Sequence, residues 1–112
     1  RTCFLGSYSH QFHFPMSMSM TLMKWMSLRV LHLRDTKLES LPNEIGKLVH
    51  LRYLDISYSG LEILPKSMTR LVNLQTLLLN YLRNLKELPR DLNRLAKLRV
   101  LGIAECQSLK RS

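Results

Sequence analysis

Residues 51–73 read LRYLDISYSGLEILPKSMTRLVN, and the spacing inside this stretch decides the fold. Leu51, Leu54 and Ile56 open it at intervals of three and two; Leu61 and Leu64 follow, then Pro65, then Met68 and Leu71 three apart. The opening recurs 23 residues downstream as Leu74, Leu77 and Leu79, and 23 upstream as Leu28, Leu31 and Leu33. Self-similarity at a fixed period of roughly 20–29 residues marks a solenoid, in which one short supersecondary unit is stacked many times.

The head of each unit, L-x-x-L-x-L, is the leucine-rich-repeat pattern. The expected fold class is therefore α/β: a leucine-rich-repeat solenoid, a right-handed coil with short parallel strands on its concave face and short helical or irregular turns on its convex face. Within a strand, alternate side chains face opposite sides, so Leu54 and Ile56 point into the coil while Tyr53, Asp55 and Ser57 point out. Leu-Pro recurs at Leu41-Pro42, Leu64-Pro65 and Leu88-Pro89. Proline holds the preceding residue extended and suits the first position of a helical turn. Behind it, the pairs Ile45/Leu48, Met68/Leu71 and Leu92/Leu95 keep a spacing of three and close the back of each coil.

Complete units run 28–50, 51–73 and 74–97, and a partial one spans 98–112. The third is one residue longer, and the extra residue falls between Leu79 and Leu85, in the turn after the strand, where an insertion is tolerated. Residues 1–27 form an irregular flank. Arg1–Leu5 looks like the end of an earlier strand, and Gly6–Ser19 is a polar, Met-rich loop. Leu22 and Trp25 precede Leu28 as Ile45 and Leu48 precede Leu51, so Trp25 is expected in the core. The chain reads as part of something longer.

Composition narrows the class. At 112 residues and 46% hydrophobic content the chain is one ordinary globular unit. No apolar run approaches the ~18 residues of a membrane span. Cys3 and Cys106 are expected on strands four repeats apart, about 19 Å at a strand spacing of ~4.8 Å, too far for a disulfide and in keeping with a reducing compartment. His10 and His13, followed by Met16, Met18 and Met20, have the donor types of a soft-metal site, but a Met-rich loop packing on the end of the coil is the simpler expectation, and no metal is assigned. No phosphate-binding loop, nucleophile elbow or zinc-protease motif occurs, and Asp35, Asp55 and Glu105 lack an adjacent base, so nothing argues for an enzyme.

Net charge is +9 and uneven: from Lys66 onward ten Lys/Arg face only Glu87, Asp91 and Glu105. Stacking places Lys24, Lys47, Arg70 and Arg94 at one equivalent position on successive back turns. Arg29, Arg52 and Arg99 share another at the start of each strand, with Gln75 as the exception. Two readings fit these columns: a solvated outer face, or a stripe that docks on an acidic surface. Nucleic acid is not expected, because no aromatics are interleaved with the columns as stacking platforms. Partner contact is expected on the concave face. Its outward positions are Val30, His32 and Arg34; Tyr53, Asp55 and Ser57; Thr76, Leu78 and Asn80; and Val100, Gly102 and Ala104. The equivalent Tyr58 and Tyr81 sit just beyond the strands.

Residues 28–112, with L-R-V-L, H-L-R-Y-L-D-I-S, N-L-Q-T-L and N-L-K-E-L-P, and more loosely Arg1–Leu5, resemble the leucine-rich-repeat region of plant nucleotide-binding disease-resistance receptors. Cys106 falls where longer repeats of that family often carry cysteine, and Leu82 replaces it in the third. The resemblance implies an intracellular, cytoplasmic protein whose repeats help sense pathogen effectors or host guard proteins and hold a nucleotide-binding switch inactive. ATP or ADP would belong to that absent switch and not to this chain. The G-x-I-P turns and cysteine-pair caps of extracellular receptor kinases are missing. An intracellular scaffold for a small GTPase, which shares L-P-x-x-I-x-x-L, and the targeting arm of a larger enzyme are the alternative expectations.

Overall fold

The computed structural model describes residues 2–4 (backbone), 27–35 and 38–109. Five three-residue strands, β1 (Thr2–Phe4), β2 (Val30–His32), β3 (Tyr53–Asp55), β4 (Thr76–Leu78) and β5 (Val100–Gly102), lie side by side in chain order. Every pairing is parallel. The register puts Leu31, Leu54, Leu77 and Leu101 opposite one another, as the period of 23 and then 24 requires. Parallel neighbours in chain order need a return path between strands. From β2 onward each path is one loop of the coil, and the architecture is the expected solenoid.

The return path explains the repeating prolines. Pro42 and Pro65 stand immediately before 3-10 turns at Asn43–Lys47 and Lys66–Arg70; the third turn, Leu92–Arg94, is shorter. In each, the proline carbonyl accepts the first bond, from the N–H of Ile45 at 3.1 Å, Met68 at 3.1 Å and Leu92 at 3.2 Å. Proline loses no partner there, because its missing N–H lies outside the turn. The three-residue spacing of the inward side chains is the 3-10 period, so Ile45/Leu48 and Met68/Leu71 stack on the same side and are fully buried.

From Leu28 to Leu95 the interior positions of the pattern converge on one core. Leu31, Leu33, Ile45, Leu48, Leu51, Leu54, Ile56, Leu61, Met68, Leu71, Leu74, Leu77 and Leu79 have no accessible surface. The turn after the strand shows what the insertion does. In the shorter version Ser59 fills the gap and its hydroxyl donates to the Ile56 carbonyl at 3.0 Å. In the longer version that place belongs to Leu82, fully buried, and in the last coil to Cys106. The added residue brings a further apolar side chain into the core rather than only lengthening a loop.

Cys106 lies beyond β5, not on a strand, and its thiol donates to the Leu79 carbonyl at 3.0 Å. Cys3 is on β1, paired with Leu31, so four strand spacings separate it from β5. The expectations for Trp25, Lys24, His10, His13 and the Met-rich loop lie outside the described residues. Among the described residues no helix is long and apolar enough to cross a membrane.

Candidate functional site: the strand face and its two flanking columns

Between adjacent coils, the turn after each strand is tied to the next by its backbone. Asp35 N–H donates to Ser57 O at 3.0 Å, Tyr58 to Asn80 O at 2.9 Å and Tyr81 to Ala104 O at 2.7 Å. The residues at this position, Asp35, Tyr58, Tyr81 and Glu105, are all left-handed, with φ near +60° (60°, 59°, 60° and 58°). Side-chain-bearing residues pay about 1–2 kcal/mol for this conformation, and only Gly, Asn and Asp adopt it readily. Two of the four positions nonetheless carry tyrosine.

The left-handed geometry throws both rings to the same side. Tyr58 and Tyr81 stack with centroids 4.5 Å apart and planes 12° from parallel. The Arg34 guanidinium lies 4.8 Å from the Tyr58 centroid, a cation–π contact. Further into the sheet, the rings of His32 and Tyr53 meet at 4.9 Å, tilted by 45°. Burial is the main reason that the Tyr53 hydroxyl holds its proton above the usual tyrosine range; the Asp55 carboxylate adds to this and Arg34 opposes it. Thr76 and Leu78 continue this surface, half-buried. The sequence expected these residues to share a face, and they do.

Three expected contact residues have structural work instead. Asp55 and Ser57 are 2% and 1% exposed, so they do not lie open on the face. Asp55 accepts the Ser57 N–H at 3.0 Å, and the Ser57 hydroxyl accepts the Asn80 N–H at 3.0 Å. Asn80, half-buried, repeats the figure by accepting the Ala104 N–H at 2.9 Å. These polar side chains extend the backbone ladder where the strands end, which alternation alone could not reveal: "outward" in a strand does not mean uncovered once the chain turns back over it.

The basic residues do form two columns. The N–H groups of Arg52, Gln75 and Arg99 each donate at 2.8 Å to the carbonyl of the same position one coil earlier, so Arg29, Arg52, Gln75 and Arg99 are stacked by their own backbone. Lys47, Arg70 and Arg94 each close a 3-10 turn and are exposed. Among the described residues the one ion pair is Lys86–Glu62, at 3.1 Å on open surface, so both columns stand without counter-ions. Lys66, whose equivalents in the neighbouring coils are Asn43 and Arg90, stands beside the back column. A shallow groove of about 520 Å³ runs along the back turns, lined by Asn43, Glu44, Lys47, Lys66, Ser67, Thr69, Arg70 and Arg94. No cluster of metal-ligating side chains occurs among the described residues.

Comparison with known proteins agrees with this geometry. The family described as "Leucine-rich repeat region" matches residues 9–111. Among solved structures, a leucine-rich-repeat protein of Leptospira interrogans is similar at a TM-score of 0.71 and 25% identity. The similarity covers 96% of this chain but 35% of that one, so the chain spans about a third of that neighbour's length. No curated protein matches.

Proposed function

Since the chain belongs to the leucine-rich-repeat region family, a family of protein-interaction modules, we propose that it serves an intracellular plant immune receptor, contributing to recognition of a pathogen effector or guarded host protein and to restraint of a nucleotide-binding switch. The observation that carries the interaction role is the Arg34–Tyr58–Tyr81 stack. Large aromatics and arginine dominate interface energetics, and here both tyrosines occupy left-handed positions where Gly, Asn or Asp would cost less. The receptor setting rests on the resemblance of residues 28–112. In that setting the uncompensated columns, Arg29/Arg52/Arg99 and Lys47/Arg70/Arg94, face an acidic surface of the switch, and ATP or ADP is held by the switch alone.

The test has two arms. Replacing Tyr58 and Tyr81 together by Ala abolishes effector recognition in the whole receptor while leaving its resting state quiet. Reversing Arg70 and Arg94 to Glu weakens co-precipitation of this chain with a separately expressed nucleotide-binding module, most at low salt, where exposed charges act furthest. Unchanged recognition after the first change, or unchanged capture and salt dependence after the second, would refute the corresponding role.

A further inference from the structure

The groove on the back of the coil holds more than a docking stripe needs. Lys47, Lys66, Arg70 and Arg94 converge on it from three successive turns, and Glu44 is the lone carboxylate in its lining. None of the four cations has an ion-pair partner among the described residues. Its floor is tightly built: a Cβ on Gly46 would sit 2.6 Å from the Ser67 carbonyl oxygen, so the first two turns touch backbone to side chain. Ser67 is caught at that contact with its hydroxyl shut from solvent and without a hydrogen-bond partner. The site thus combines clustered positive charge with a closely packed floor.

We propose that this groove binds a small polyanion carrying at least two phosphate monoesters. Charge sets the class: a single carboxylate would leave most of four cations uncompensated, whereas each phosphate monoester brings about −1.5 to −2. Arginine forks and lysine ammonium groups are the usual donors to such oxygens. Size agrees, since about 520 Å³ falls within the roughly 300–1,000 Å³ of small-molecule sites. The inference goes beyond the docking role of the same column, and occupancy by such a ligand would cancel the charge that docking uses.

The experiment is titration of the full chain with inositol hexakisphosphate by calorimetry, beside polyglutamate of matched charge. Vesicles of phosphatidylcholine with and without phosphatidylinositol bisphosphate form a parallel arm. Saturable one-to-one binding is expected, weakened about fivefold each by Lys47→Gln, Arg70→Gln and Arg94→Gln, in line with the energy of one exposed charge contact. Arg83→Gln, an exposed cation outside the groove, leaves it unchanged. Binding of the free phosphate alone assigns a soluble ligand, and added capture by the phosphoinositide vesicles assigns a lipid headgroup; either supports the site. Absence of binding in both arms, equal affinity for polyglutamate, or equal loss with Arg83→Gln overturns it. These last two results leave the protein-docking role standing, so the two readings fail separately.

Discussion

The second coil and the last one carry the same pattern and have opposite fates. Leu54 and Ile56 have no accessible surface, whereas their counterparts Leu101 and Ile103 are 37% and 41% exposed. The register is continuous from β2 to β5, so all four strands point equivalent side chains to the same side. What differs is the neighbour. Among the described residues β3 has a strand on each side, and β5 has one on the side of β4. Direction is a property of the repeat, and burial is a property of the stack.

The largest effect should come from testing that contrast directly. Leu54→Ala removes a fully buried side chain from a close-packed core and should cost ~2–5 kcal/mol. Leu101→Ala, at the same register position, should cost about 1 kcal/mol or less, because much of its surface is already in water. Chemical denaturation of the two variants measures both. Similar costs would mean that the last coil is covered as fully as the second.

A smaller effect is expected on the back of the coil. Gly46, Thr69 and Asn93 are equivalent positions on three successive turns. Gly46 lies hard against Ser67, and Gly46→Ala should destabilise by about 1–3 kcal/mol, since backbone must move to admit the methyl group. Asn93 is exposed at the outer turn, and Asn93→Ala should leave the melting temperature nearly unchanged. A neutral Gly46→Ala would show that the first two turns can slide apart.

The smallest effects concern the left-handed residues. At Tyr58, asparagine would relieve backbone strain of ~1–2 kcal/mol but forfeit the ring stack and the Arg34 contact, each worth about 0.5–1.5 kcal/mol. These nearly cancel, so Tyr58→Asn should barely move the melting curve while weakening partner binding. Glu105 has the same φ and no ring to lose, so Glu105→Asn should stabilise by a few tenths to about 1 kcal/mol. If both substitutions stabilise equally, the tyrosine stack contributes nothing to the fold.

The period of the leucines was enough to determine the coil, the strand register, the inward set and the two basic columns. One-dimensional stacking makes this possible: when each unit touches only its neighbours, positions a repeat apart in the chain are adjacent in space. Sequence also picked out Tyr58 and Tyr81 as a pair by that argument alone. It could not show that they are left-handed, because Asp35, Tyr58, Tyr81 and Glu105 share no residue type that would signal it. That conformation belongs to the turn after each strand, since Glu105 adopts it in the last coil as the other three do. Likewise only the tertiary structure withdrew Asp55 and Ser57 from the contact surface and made Asn80 a bridge between coils. It also drew Lys66 into the cationic groove and left Leu101 half in water. A repeat in sequence specifies which way each side chain points, while what lies opposite depends on how many coils stand beside it and how closely their turns approach.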